Sequence, residues 1–131
     1  MKKISAFLPA IIWTIIIIIL TLMPASSVPN TPFSRIPYFD KMVHCGIFAG
    51  FVLLWSMLFR RLKGKEKQIV YMARAILIAI VFGLIIELLQ GEITSIHRDF
   101  DWWDLVADII GAFLGAAIFV EIYGPKKEKE S

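Results

Sequence analysis

Four apolar stretches alternate with short polar segments along the chain. They cover residues 4–23, 42–59, 69–89 and 105–122, and the charged residues lie between them and at their edges. Each stretch approaches the ~20 predominantly apolar residues that a membrane-spanning α-helix needs. The pattern therefore predicts a single domain over residues 1–131, an all-α, integral membrane four-helix bundle with short loops.

The composition supports a membrane protein. Hydrophobic residues make up 58% of the chain, charged residues 19%, and the mean hydropathy is +0.73. Soluble domains usually contain roughly 45–50% apolar and ~25% charged residues, so this chain is too apolar for one. The loops are too short to hold a soluble catalytic domain, and we expect the protein to act in or on the membrane.

Lysines and arginines set the expected orientation, because cytoplasmic loops of membrane proteins accumulate positive charge. Both termini are therefore predicted to be cytoplasmic, and the loops 24–39 and 91–101 to be extracytoplasmic, in a multi-pass protein of the plasma membrane. The pI of 9.1 follows from this topology, and we expect no nucleic-acid partner. The basic residues on the predicted cytoplasmic side are Lys2, Lys3, Arg60, Arg61, Lys63, Lys65, Lys67, Arg74, Lys126, Lys127 and Lys129, against Arg35, Lys41 and Arg98 on the other side.

The first apolar stretch has a second interpretation. Two lysines precede it and the small residues 25–27 follow it, as in a cleaved signal peptide. The apolar run is longer than the ~7–15 residues of a signal-peptide core, which favours a retained helix. Cleavage stays open, and it would leave the orientation of the other helices unchanged.

Polar residues recur at helical spacing at one end of the last three stretches. Asp40, Lys41 and His44 share one face of the second helix, because residues three and four apart are neighbours on a helix. Glu87 and Gln90 align with Gly83 on the third helix, and Asp101, Asp104 and Asp108 form an acidic stripe on the fourth. Ionisable residues inside a membrane are costly and mark a candidate functional site.

Small residues suggest how these three faces meet. The pairs Gly46 and Gly50, Ala79 and Gly83, and Gly111 and Gly115 are each four residues apart, a spacing that lets helix backbones approach closely. Each pair lies on or beside a polar face, on the predicted cytoplasmic side of the charges. We therefore expect a tight helix contact below a polar pocket that opens to the outside.

The polar positions resemble a known pattern. Asp40-Lys41-x-x-His44-x-x-x-Phe48, then Glu87-x-x-Gln90, then Arg98-x-x-Asp101-x-x-Asp104-x-x-x-Asp108-x-x-Gly111-x-x-x-Gly115 resembles the VanZ-like family of small bacterial membrane proteins, named for a teicoplanin-resistance protein. The resemblance implies a four-helix bacterial cell-envelope protein, with antibiotic resistance as a possible role, and supplies no established reaction. The family commonly has asparagine where this chain has Asp108, so this position gains a group that can carry a negative charge.

The proposed pocket carries an excess of acids. Such a surplus is hard to keep ionised near hydrocarbon, so we expect either protonated carboxyls or a bound cation to relieve the repulsion. The sequence assigns no metal site and no cofactor, because convergence of oxygen ligands is not visible in it. The acids are Asp40, Glu87, Glu92, Asp99, Asp101, Asp104 and Asp108, against Arg35, Lys41 and Arg98.

Three interpretations of the pocket stay open. The polar residues form a structural network, in which Arg98 pairs with Asp40 or Asp104 and Lys41 with Glu87. Alternatively, the pocket binds the headgroup of a membrane lipid, a lipid-linked envelope component or a glycopeptide antibiotic. The ligand-binding candidates are Asp40, Lys41, His44, Glu87, Gln90, Arg98, Asp101, Asp104 and Asp108.

The third interpretation is a membrane enzyme that acts on a lipid-linked phosphate or glycan headgroup. In it, His44 is a general base oriented by Asp40, and Glu87 or Asp104 is a general acid or metal ligand. The residue types suffice for acid and base chemistry, but the sequence does not decide whether the protein is an enzyme.

Overall fold

A computed structural model describes residues 2–125, which form four α-helices joined by short loops and 3₁₀ turns. All four are long and apolar enough to cross a membrane. Lys126, Lys127 and Lys129, which the sequence analysis places on the cytoplasmic side, lie outside the described residues. The helices are α1 (Lys2–Leu22), α2 (Phe39–Lys63), α3 (Gln68–Glu92) and α4 (Trp102–Tyr123).

The all-α prediction is confirmed, although all four helices are longer than their apolar stretches, α1 by a single residue. Helices α2 and α4 begin three residues earlier than predicted, so Asp40, Lys41 and Asp104 lie within their first turns. Asp101 is the N-cap of α4, because its carboxylate accepts a hydrogen bond from the backbone N–H of Trp103 at 2.8 Å. Asp40 is not a cap, since Tyr38 occupies the N-cap position of α2.

Helices α2 and α4 form the most extensive contact of the bundle. A Cβ atom built on Gly111 would overlap the carbonyl oxygen of Cys45, and one built on Gly115 would overlap that of Ala49. Only glycine allows backbones to approach this closely. The glycine pair of α4 therefore sets the distance and the rotation of α4 against α2.

The glycines of α2 serve a different contact from the predicted one. A Cβ atom on Gly50 would lie 2.7 Å from the indole of Trp13 in α1, whereas Gly46 has no such neighbour within 4 Å. The indole N–H of Trp13 also donates to the carbonyl oxygen of Ile47 at 2.9 Å. Gly50 thus accommodates α1, and Cys45 and Ala49 are the residues of α2 that face α4.

Large apolar side chains cover the outside of the bundle. Leu77, Ile110 and Phe113 are each more than half exposed, while the polar residues Glu87 and Asp108 are fully buried. A soluble protein would bury the apolar groups and expose the polar ones. The described residues thus have the surface of a multi-pass membrane protein, whose outer side chains face lipid.

The two ends of the bundle differ in charge. The first turns of α2 and α4 and the last turns of α1 and α3 lie at one end, which carries most of the acidic residues. The opposite end contains the basic segment 60–67 between α2 and α3. This separation places every candidate site residue at the acidic end.

We expect the substitution Gly115→Ala to lower the stability of the bundle. The added methyl group would force α4 away from Ala49, and overpacking of this kind costs about 1–3 kcal/mol. The matched control is Gly46→Ala, which adds the same group where nothing lies within 4 Å. Thermal unfolding in detergent should show a lower midpoint for the first variant only. Equal midpoints for the two variants would contradict the α2–α4 contact described above.

Candidate functional site

Lys41 lies at the centre of the acidic end. Its Nζ is 2.6 Å from a carboxylate oxygen of Asp101, 2.6 Å from one of Asp104 and 2.8 Å from one of Asp40. The first two contacts join α2 to the start of α4. One ammonium group therefore holds three carboxylates together, and the group retains a net negative charge.

Asp101 combines two roles just before α4. The hydrogen bond from the Lys41 ammonium lowers the pKa of the Asp101 carboxyl below its ordinary value of 3.8. Its other oxygen caps the helix through Trp103. Asp101 is thus held as a carboxylate, and the same side chain fixes both the start of α4 and its contact with α2.

His44 joins α2 to α4 one turn deeper. Its Nδ1 lies 2.8 Å from Oδ1 of the fully buried Asp108, and its Nε2 lies 3.6 Å from Oδ2 of Asp104. If Asp108 is ionised, Nδ1 carries the proton and donates, because a carboxylate only accepts hydrogen bonds. In the neutral ring the lone pair is then on Nε2, the nitrogen that faces Asp104.

Glu87 brings α3 into the same cluster. Its side chain is fully buried, and its Oε2 accepts a hydrogen bond from the backbone N–H of Asp101 at 3.1 Å. Its Oε1 is buried and has no hydrogen-bond partner among residues 2–125. An unpaired buried carboxylate oxygen is costly, so this atom needs a partner.

Two of the predicted site residues bind α1 instead of the cluster. Gln90 donates to the carbonyl oxygen of Thr21 at 2.7 Å, and Arg98 donates to that of Met23 at 2.9 Å. Both carbonyls lie at the C-terminal end of α1, where helix carbonyls lack partners within the helix. Gln90 and Arg98 therefore attach α1 to the polar end of the bundle.

The pairings proposed from the sequence are replaced by others. Arg98 binds a backbone carbonyl and not a carboxylate of Asp40 or Asp104, and Lys41 binds three aspartates and not Glu87. His44 is oriented by Asp108, so the suggested orientation by Asp40 is wrong. Spacing along one helix gave the correct faces, but the partners depend on how the helices are rotated against each other.

Two groups of three side chains are close enough to share a cation. Asp40, Asp101 and Asp104 form the outer group, and His44, Glu87 and Asp104 form the inner group. The Lys41 ammonium already binds all three members of the outer group. In the inner group, the Lys41 ammonium contacts only Asp104, through Oδ1, and no lysine or arginine among the described residues forms an ion pair with Glu87.

A groove of about 580 Å³ runs between α2 and α4 from Lys41 along the lipid-facing side. Of its lining residues, the sequence analysis singled out only Lys41. The spacing of positions 103, 106, 107 and 110 is that of one helix face next to the acidic stripe, which is the signal that predicts it. The groove is lined by Tyr38, Lys41, Trp103, Val106, Ala107 and Ile110.

The fold and the cluster define a class, namely multi-pass helical membrane proteins with a buried polar cluster at one end. The VanZ/LLP1 family model matches residues 7–123, which is nearly the whole chain. The chain therefore belongs to the VanZ/LLP1 family, and the resemblance seen in the sequence is confirmed. No curated protein and no solved structure gives a significant match to it.

We expect Lys41→Gln to destabilise the protein by about 2–4 kcal/mol, because three carboxylates would face one another without a cation. The expected loss is smaller than the loss on breaking a fully buried ion pair, since the Lys41 side chain is 21% exposed. Thermal unfolding should show the loss, while Lys67→Gln in the exposed loop at the opposite end should change little.

The pH dependence gives a second readout of the same variant. Because Lys41 lowers the pKa of Asp101, this contact stabilises the fold fully above pH 3.8 and is lost as the pH falls through the lowered value. In Lys41→Gln, protonation relieves repulsion instead. The stability difference between parent and variant should therefore shrink between about pH 5 and pH 3. A constant difference would contradict the arrangement around Lys41.

Proposed function

We propose that this protein binds an amphiphile at the outer face of the bacterial plasma membrane, with the polar headgroup at the acidic cluster and the hydrocarbon in the α2–α4 groove. The observation that carries the proposal is the shape of that groove. It begins at Lys41 and the interfacial aromatics Tyr38 and Trp103, and it continues over Val106 and Ile110. One surface thus offers a charged end and an apolar end in the order that an amphiphile requires.

The chemistry of the cluster favours a headgroup rich in hydroxyls or amines. Lys41 is already bound by three carboxylates, and Arg98 uses its Nε on the Met23 carbonyl. The Lys41 ammonium is therefore not free to serve mainly as an anion receptor, and Arg98 is held at Nε against α1. The exposed edges of Asp40 and Asp101 are hydrogen-bond acceptors, which suit sugar hydroxyls and ammonium groups.

The orientation supports an outward-facing site. The acidic end lies opposite the basic segment 60–67, and positive charge accumulates on the cytoplasmic side of membrane proteins. Two sources then offer an amphiphile with such a headgroup, a lipid-linked envelope component and an acylated glycopeptide antibiotic such as teicoplanin. Membership of the VanZ/LLP1 family bears on the antibiotic alone, since the VanZ-like family is named for a teicoplanin-resistance protein.

Filling the groove should abolish this binding. Val106 lies in the groove and is 41% exposed, whereas Val120 lies on the same helix towards the opposite end and is 40% exposed. We expect Val106→Trp to reduce the co-purifying amphiphile by at least about tenfold, because the indole occupies the space of its hydrocarbon. Val120→Trp is the matched control and should retain it. The amount of each lipid per mole of protein is measured by mass spectrometry.

The same protein preparations show whether the bound amphiphile is an envelope lipid or a glycopeptide antibiotic. An envelope lipid that co-purifies with the parent and with Val120→Trp, but not with Val106→Trp, identifies a lipid ligand. Binding of an acylated glycopeptide, but not of its deacylated form, with the same dependence on position 106 identifies the antibiotic. If neither ligand distinguishes the two tryptophan variants, the groove is not the binding site and the proposal is wrong.

A second candidate function, an enzyme acting on a lipid-linked phosphate or glycan headgroup, is favoured by the position of His44. Its Nδ1 contacts Asp108, and in the neutral ring protonated at Nδ1 the Nε2 that faces Asp104 has the lone pair that a general base requires. Incubation of the purified protein with an envelope lipid extract should then yield a product that His44→Gln fails to make. A parent protein that binds lipid without altering it would reject this candidate and leave the binding function intact.

A further inference from the structure

We propose that His44, Glu87 and Asp104 bind one divalent transition-metal ion of the Zn²⁺ type, with Asp108 orienting the histidine. The three residues come from α2, α3 and α4, and one ligand atom of each lies within 4.8 Å of the others. Zinc binding would be a property separate from amphiphile binding, and it can be tested by measuring the metal content of the protein with no amphiphile present.

The distance between His44 and Asp104 suits a bridging ion better than a direct contact. Nε2 and Oδ2 are 3.6 Å apart, which is too long for a hydrogen bond. Two atoms at this separation, each ~2.1 Å from a common ion, subtend an angle of roughly 120° at it, which is close to the angles of a tetrahedral zinc site. The two side chains are therefore spaced as ligands of one ion.

Glu87 provides an independent observation. Its side chain is fully buried, its Oε2 is engaged by the backbone of Asp101, and its Oε1 has no hydrogen-bond partner in the part of the chain that the structure describes. An ion in contact with His44 and Asp104 would supply the partner that Oε1 requires. The carboxylate is thus held by one oxygen while the other remains available to a ligand.

Asp108 completes the arrangement behind the histidine. Histidines that bind metals generally donate their second ring N–H to a carboxylate or carbonyl, which fixes the tautomer and raises the basicity of the other nitrogen. The 2.8 Å contact between His44 Nδ1 and Asp108 Oδ1 is such an interaction. Because Gly83 of α3 lies against Asp108, a side chain there would displace this carboxylate.

The local charge also favours a cation. Three carboxylates bind the Lys41 ammonium, and two more lie one turn deeper without an ammonium partner among the described residues, so a divalent ion would offset part of the remaining negative charge. One imidazole and two carboxylates match the ligands that Zn²⁺ accepts in proteins, with a fourth position left for water or a substrate oxygen. The five carboxylates belong to Asp40, Glu87, Asp101, Asp104 and Asp108.

The test uses the full chain in detergent, stripped with a chelator, exchanged into chelator-free buffer and titrated with Zn²⁺ alone. We expect about one zinc per protein by elemental analysis and a higher unfolding temperature on loading. Glu87→Gln should weaken zinc binding by more than about tenfold, since it removes a charged ligand. The matched control is Glu92→Gln, on the same helix and exposed, which should bind zinc as the parent does.

A parent protein that binds no stoichiometric zinc, or a Glu87→Gln variant that binds it as tightly as Glu92→Gln, would overturn the proposal. If Glu87→Gln does not fold, the parent loaded with Co²⁺ decides instead. Visible absorption bands with the intensity of four- or five-coordinate cobalt, lost when zinc is added, support the site. A spectrum of six-coordinate cobalt, as in aqueous solution, would count against it.

Discussion

The close contact between α2 and α4 is the constraint on which the rest of the structure depends. Gly111 and Gly115 allow the backbone of α4 to lie against the carbonyl groups of Cys45 and Ala49. Lipid gives no hydrophobic drive for helix association, so close packing and hydrogen bonds between helices must provide the stability. The contact also fixes the rotation of α4, and this rotation turns its acidic stripe towards α2.

The charges above this contact are arranged in two levels. Near the membrane surface, Lys41 holds aspartates that are partly exposed, and water screens their remaining charge. One turn deeper, His44, Glu87 and Asp108 are buried, where an unpaired charge is far more costly. Asp104 belongs to both levels, because one oxygen contacts Lys41 and the other faces His44. The outer level suits a headgroup, whereas the inner level has the ligands for an ion.

Much of the fold follows from the sequence, because long apolar stretches in a membrane protein have few alternatives to helices. The helix starts were missed because their first turns are polar, as at Asp40 and Lys41, and an apolar stretch does not include them. The faces of the site were also predicted, since they depend only on spacing within one helix. The partners of these faces on the other helices were not predicted, because neighbouring residues such as Ala49 and Gly50 point about 100° apart around a helix axis. Packing between the helices decides which of these two residues contacts α4.

The central claim is that α4 presents Asp108 to His44, and nitrogen NMR of the imidazole tests it most directly. The chain contains two histidines, so the exposed His97 provides an internal reference. With Asp108 accepting the hydrogen bond, His44 should carry a proton on Nδ1 that exchanges slowly with water, whereas the ring proton of His97 should exchange fast. A His44 ring without a proton on Nδ1, or with exchange as fast as that of His97, would contradict the contact between His44 and Asp108.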